Sequence, residues 1–231
     1  MRLTRRWRRR LSRIAAVAVV GPLLLILGLT VVYRIVQPPI TPLQVIRLVQ
    51  GYGFERDLEP LDAISPHLAR AVIAAEDNRF CEHGGIDWPA FREQWARWQD
   101  GERPRGASTI SMQTTKNLFL WPGRDPVRKG LELLITPAVD ALMPKRRILA
   151  LYLNQVELAP GVYGAEAAAR HHFAKSASEL GPGEAARLAV LLPAPLSYTV
   201  NERHVRRRAE RIQRRVLQLG PLLDCAPALR G

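Results

Sequence analysis

At 231 residues, 47% of them hydrophobic and 24% charged, the chain has the size and composition of one folded domain with an appendage, which excludes wholesale disorder. The net charge of +13 is concentrated at the ends: seven arginines and no acid in 1–13, and seven arginines against Glu202 and Glu210 in 202–216. The span 14–201 is nearly neutral, and that excludes a uniformly basic nucleic-acid binder.

In chain order, the basic tail 1–13 is followed by Ile14–Tyr33, twenty residues without a charge. At about 1.5 Å per residue this run is long enough for a hydrocarbon core of roughly 30 Å. It predicts an uncleaved transmembrane helix over 14–36, with the arginines cytoplasmic and the remainder of the chain on the far side. Residues 37–64, with Pro38, Pro39 and Pro42, read as a stiff linker leading into the domain. The folded part, 65–200, reads as mainly helical. Ser65-Pro66 opens one helix and Pro89 another, and Ser108 is the expected cap of a third running toward Leu118. Asp125-Pro126 starts a helix with the apolar stripe Leu131, Leu134, Ile135, Ala138, Val139 and Leu142, bent at Pro137 and ended by Pro144. Residues 145–157 and 182–192 supply two more, and 201–231 form a basic helix and tail. Cys81 and Cys225 lie 144 positions apart without a CxxC, and the expectation is two free thiols rather than a zinc site. No HExxH is present and no serine is followed three residues later by lysine, so zincin and penicillin-recognising chemistry lack their residues.

Four stretches can carry chemistry. In Glu76–Asp87 an acidic pair closes a helix ahead of a Gly-Gly turn. The C-terminal end of the helix dipole disfavours an ionised carboxylate there, and a raised pKa suits Glu76 to general-base work. An isolated Glu-Asp pair is more often a solvated helix end. Arg105–Asn117 presents hydroxyls and free N–H groups at a helix start, with Lys116 as a mobile cation. Arg124–Glu132 places Arg128, Lys129 and Glu132 at spacings that either decorate a solvated face or grip a diphosphate. Pro144–Gln155 is a helix that is basic at its start, where the dipole favours acid.

Taken in order, these stretches resemble the motifs of the family 51 peptidoglycan glycosyltransferases. ED-x-x-F-x-x-H-x-G matches Glu76, Asp77, Phe80, His83 and Gly85. G-x-S-T-I-[ST]-x-Q matches Gly106, Ser108, Thr109, Ile110, Ser111 and Gln113. R-K-x-x-E matches Arg128, Lys129 and Glu132, and K-x-x-I-L-x-x-Y-L-N matches Lys145, Ile148, Leu149, Tyr152, Leu153 and Asn154. A fifth stretch, Gly161–Ala169, follows the family's G-x-[YF]-G-x-x-x-A-A. Met112 stands where the family usually has a first glutamine, and His171-His172-Phe173 where x-Tyr-Phe is common.

The resemblance implies a mainly α, lysozyme-like glycosyltransferase domain behind one N-terminal transmembrane helix. It implies a single-pass inner-membrane enzyme with a periplasmic catalytic domain, without a transpeptidase domain. Its substrates would be lipid II and the growing glycan strand, with cell-wall synthesis or division proteins as further partners and no nucleic acid. The implied catalytic residues are Glu76 and Glu132. Ser108, Thr109, Gln113, Lys116, Arg124, Arg128, Lys129 and Asn154 would bind substrate. No cofactor is obligatory; a divalent cation such as Mg²⁺ at the pyrophosphate has Asp77 as its candidate ligand. The rival readings are a membrane-anchored, lysozyme-like glycan hydrolase or lytic enzyme, and a non-catalytic cell-wall scaffold.

Overall fold

In a computed structural model, the backbone is described for residues 5–102, 106–123, 125–223 and 225, and side chains from residue 17 onward except Val19, Pro221 and Leu222. The first helix, α1 (Arg5–Tyr33), runs unbroken through Pro22. Its end docks on the domain: Tyr33 stacks on Phe119 with ring centroids 6.0 Å apart, and the Arg147 guanidinium donates to the carbonyls of Tyr33 and Val36 at 2.7 and 2.8 Å. Val17, Val20, Leu24, Leu25, Val31 and Val32 of α1 are exposed. Among the described residues no helix is long and apolar enough to cross a membrane, and Ile14, Ala15, Ala16 and Val19 of the apolar run lie outside the described side chains.

The proline-rich linker leads directly into α2 (Pro42–Val49), where Thr41 and Gln44 form a capping box. Then come α3 (Pro66–Glu76), α4 (Trp88–Gln99), α5 (Ile110–Phe119) and α6 (Pro126–Leu142). Helices α7 (Lys145–Gln155), α8 (Ala165–Phe173), α9 (Pro182–Leu191) and α10 (Arg203–Val216) follow. The starts follow the sequence signals. Ser65 accepts from the His67 N–H ahead of Pro66, and Asp125 accepts from the Arg128 N–H at 2.8 Å ahead of Pro126. Pro137 lies inside α6 without ending it.

The core is built around α7, in which every residue from Ile148 to Gln155 is buried. Helix α5 packs on α6 and α7, and α9 packs on α3 and α10. The buried alanines of α8 and α9 let their backbones come close to their neighbours. Helix α10 closes the other side with Val205, Ala209 and Ile212, spaced i, i+4, i+7 on one face.

Three short strands, β1 (Glu55–Arg56), β2 (Glu157–Ala159) and β3 (Val162–Tyr163), form a sheet in the order β1-β3-β2, with β1 parallel and β2 antiparallel to β3. Gly161, in the turn between β2 and β3, has φ +73°, and a Cβ there would run into the Tyr52 carbonyl oxygen. Only glycine fits.

The cysteines correct the sequence reading. Cys81 and Cys225 are joined in a disulfide, with Cα atoms 5.3 Å apart. The bond ties the chain beyond α10 to the loop that follows Glu76. Such cross-links are typical of oxidising compartments, and each contributes about 2–4 kcal/mol.

Candidate functional site

Glu76 is the last residue of α3, and its carboxylate accepts a hydrogen bond from Gln113 Nε2 at 2.7 Å. Gln113 is oriented in turn by the hydroxyl of Tyr152, which donates to its Oε1 at 3.0 Å. Burial holds the Tyr152 phenol well above its ordinary pKa, so this donor stays protonated. Burial also pushes the Glu76 carboxyl above the usual carboxylate range; the Gln113 bond and the charges of Arg208 and Lys116 oppose the rise, and Asp77 adds to it. The direction matches the sequence reading, and desolvation by burial is the largest cause.

Asp77 serves as a support. Its oxygens lie 3.0 and 3.2 Å from His83 Nε2, and Oδ2 also accepts from the Ile110 N–H at 3.0 Å. Asp77 thus fixes the first turn of α5 beside Glu76. With both oxygens committed inside the protein, Asp77 does not fit a divalent cation. Among the described residues no group of three His, Cys, Asp or Glu could hold a metal ion.

The cap of α5 is Thr109, not Ser108. The Thr109 hydroxyl accepts from the Met112 N–H at 3.0 Å and donates to the Gly85 carbonyl at 2.6 Å. Gly85 has φ +91°, and a Cβ there would lie 3.0 Å from Asp140 and Thr136 side-chain carbons. Ser108, one residue before the cap, instead accepts from Lys129 Nζ at 3.0 Å.

The first turns of α6 carry the cations. Lys129 Nζ donates to Glu132 Oε1 and Arg128 Nη1 to Glu132 Oε2, each at 2.6 Å, so each oxygen of Glu132 holds one cation. Arg128 and Glu132 are buried, and Arg128 Nε has no hydrogen-bond partner among the described residues. Lys116 of α5 sits within electrostatic reach of Glu76, Glu132, Arg128 and Lys129, and burial lowers its pKa. Glu76, Ser108 and Thr109 line one cavity, and Gln113 and Lys116 line the next. The Glu76–Gln113 hydrogen bond stands between the two.

Eight of the expected site residues are therefore gathered: Glu76, Ser108, Thr109, Gln113, Lys116, Arg128, Lys129 and Glu132. Arg124 lies outside the described residues. Asn154 is placed apart: its side chain is buried, bonded to both backbone groups of Glu59 and to the Ala150 carbonyl, each at 2.8 Å. It pins the segment before α3 to α7 rather than facing the cavities. Two residues that the motifs do not reach do face the site. Arg215 of α10 lines the Glu76 cavity, and Arg208 lies close enough to lower the Glu76 pKa. Their seven-residue spacing on an amphipathic helix is the sequence signal for them.

Fold and site together define a class: a helical domain whose cleft holds one carboxylate bonded to a neutral amide and one held by two cations. The comparisons agree. The family model described as Transglycosylase matches residues 44–219, and the chain belongs to that family. It is 52% identical over 210 residues to a Rhodospirillum centenum protein named biosynthetic peptidoglycan transglycosylase, covering 90% of this chain and 91% of that one. Proteins of the same name from Caulobacter vibrioides (46% identical, 85% of each chain) and Pseudomonas putida (44% identical, 92% of each chain) are similarly related.

Proposed function

We propose that the chain is a peptidoglycan glycosyltransferase that polymerises lipid II into glycan strands. The observation that carries this reading is the pairing pattern in the cleft: Glu76 bonds to a neutral amide while Lys116, Arg128 and Lys129 cluster beside it. The C4 hydroxyl of the acceptor N-acetylglucosamine attacks C1 of the donor N-acetylmuramic acid with inversion. Its proton passes to Glu76 as the C1–oxygen bond to the diphosphate breaks. Negative charge then grows on undecaprenyl pyrophosphate, and Lys116, Arg128 and Lys129, together with Arg124, offset it. Among the described residues the Nε of buried Arg128 has no hydrogen-bond partner, with Asp125 Oδ2 4.0 Å away, and such a donor suits an anion. Glu132 orients Arg128 and Lys129, Ser108 and Thr109 shape the wall beside Glu76, and Gln113 holds the base. The cations carry the diphosphate charge, and no step needs a metal at Asp77.

The same reading places α1 across the inner membrane, with residues 1–13 cytoplasmic and the domain periplasmic. The uncharged run Ile14–Tyr33, the preceding arginines and the Cys81–Cys225 disulfide all favour it. Incubation of the purified protein with lipid II tests the activity. Glycan polymer with free undecaprenyl pyrophosphate is the expected product. Fragmentation of finished sacculi without polymerisation would assign the chain to hydrolysis instead.

A further inference from the structure

The transfer joins two molecules that each carry a diphosphate, and the cluster at α5 and α6 accounts for one of them. The second needs cations on the other side of the base. Glu76 shares its cavity with Ser108, which is bonded to Lys129, and with Arg215 of α10. Arg208 and Arg215 lie seven residues apart along one flank of the face that buries Val205, Ala209 and Ile212. Among the described residues neither forms an ion pair. Arg79, also on the cavity wall, is engaged by Glu82 at 2.7 Å and Asp87 at 3.5 Å. Asp77 is engaged by His83 and Ile110. Among the described residues, the cations on this side without an ion pair are therefore two guanidinium groups, whose planar forks suit phosphate oxygens. The Cys81–Cys225 disulfide fixes the chain just past α10 to the loop after Glu76, and so keeps this helix over the cleft.

We infer that Arg208 and Arg215 form a second anion site, which binds the diphosphate of the acceptor while Glu76 takes the proton from its sugar hydroxyl. This rests on the lipid II reading above. It makes α10 a determinant of acceptor choice.

The experiment compares two acceptors with one labelled donor strand: lipid II, and the same disaccharide-peptide as a methyl glycoside without diphosphate or lipid. The wild-type chain is expected to prefer lipid II, and R208Q/R215Q is expected to lose at least tenfold of that preference. R208K/R215K, which keeps the charge, should recover part of it. R206Q/R207Q removes the same charge from the exposed face of α10 and should leave the preference unchanged. Circular dichroism checks that each variant is folded, and the single variants R208Q and R215Q, each expected to lose part of the preference, carry the test if the double variant is not. Wild-type polymerisation with an unaltered acceptor preference in R208Q/R215Q overturns the second site and leaves the proposed function standing. An equal loss in R206Q/R207Q overturns it as well, because the effect would then be one of net charge. A wild-type chain that cannot polymerise lipid II overturns the proposed function, and this inference with it.

Discussion

The end of α3 and the first turns of α6 each bring a glutamate to the same cleft, and they treat it in opposite ways. Glu76 meets a neutral amide and is held by burial above its ordinary pKa. Glu132 is more deeply buried and meets two cations at 2.6 Å, one per oxygen. A carboxylate with a neutral partner can take a proton at little cost to its surroundings. One that holds two cations cannot, because protonation would strand them. In the proposed mechanism the roles of base and anchor thus follow from the partners, although both residues are glutamates.

The largest break in that comparison is Glu76→Gln. It keeps size and hydrogen bonding but cannot accept a proton, so polymerisation is expected to fall by roughly 10²–10⁴-fold. The thermal midpoint should stay level or rise, because a desolvated carboxyl has been removed. Glu132→Gln should do the reverse in stability. Arg128 is left buried against a neutral partner, and removing one member of a buried pair costs about 3–5 kcal/mol, readable by denaturant titration. A Glu132→Gln chain as stable as wild type would erase the distinction between the two carboxylates.

Lys116→Ala removes the cation that lies within reach of both glutamates. Loss of a positioned charge in such a site is worth about 2.7–4 kcal/mol, so a fall in turnover near a hundredfold or more is expected. Lys116 is also expected to set the alkaline side of the pH profile. Its folded pKa is lowered, so its charge is lost as pH rises through a value below that of an ordinary lysine. Lys116→Arg, whose guanidinium stays charged, should extend activity to higher pH. The smallest effect is expected of Thr109→Ala, which removes the α5 cap for about 1 kcal/mol of stability and leaves the acid limb of the profile in place.

Much of this was readable from the chain, because helix starts and motif spacing are local. Ser65-Pro66 and Asp125-Pro126 mark α3 and α6 as expected, and the R-K-x-x-E spacing brings both cations onto Glu132. What was not readable depends on distant partners. Ser108 and Thr109 are equivalent as caps in sequence, and the choice falls to Thr109 because the Gly85 carbonyl, 24 residues away, accepts its hydroxyl proton. The disulfide depends on α10 folding back over α3, which no spacing of two cysteines reveals. Asn154 fits a motif, but its partners Glu59 and Ala150 occupy it fully. The helix end predicts the direction of the Glu76 shift, but its largest cause, burial, is a tertiary quantity that local sequence does not show.

The assignment of Glu76 as the base is tested most directly by titrating its side-chain carboxyl by NMR, with Glu76→Gln identifying the resonance. Its titration midpoint should lie above the ordinary glutamate value of about 4.3, and the acid limb of the polymerisation rate should follow it, with activity falling as pH drops through that midpoint. A Glu76 that titrates at or below the ordinary value, or a rate that stays constant through its titration, would contradict the account.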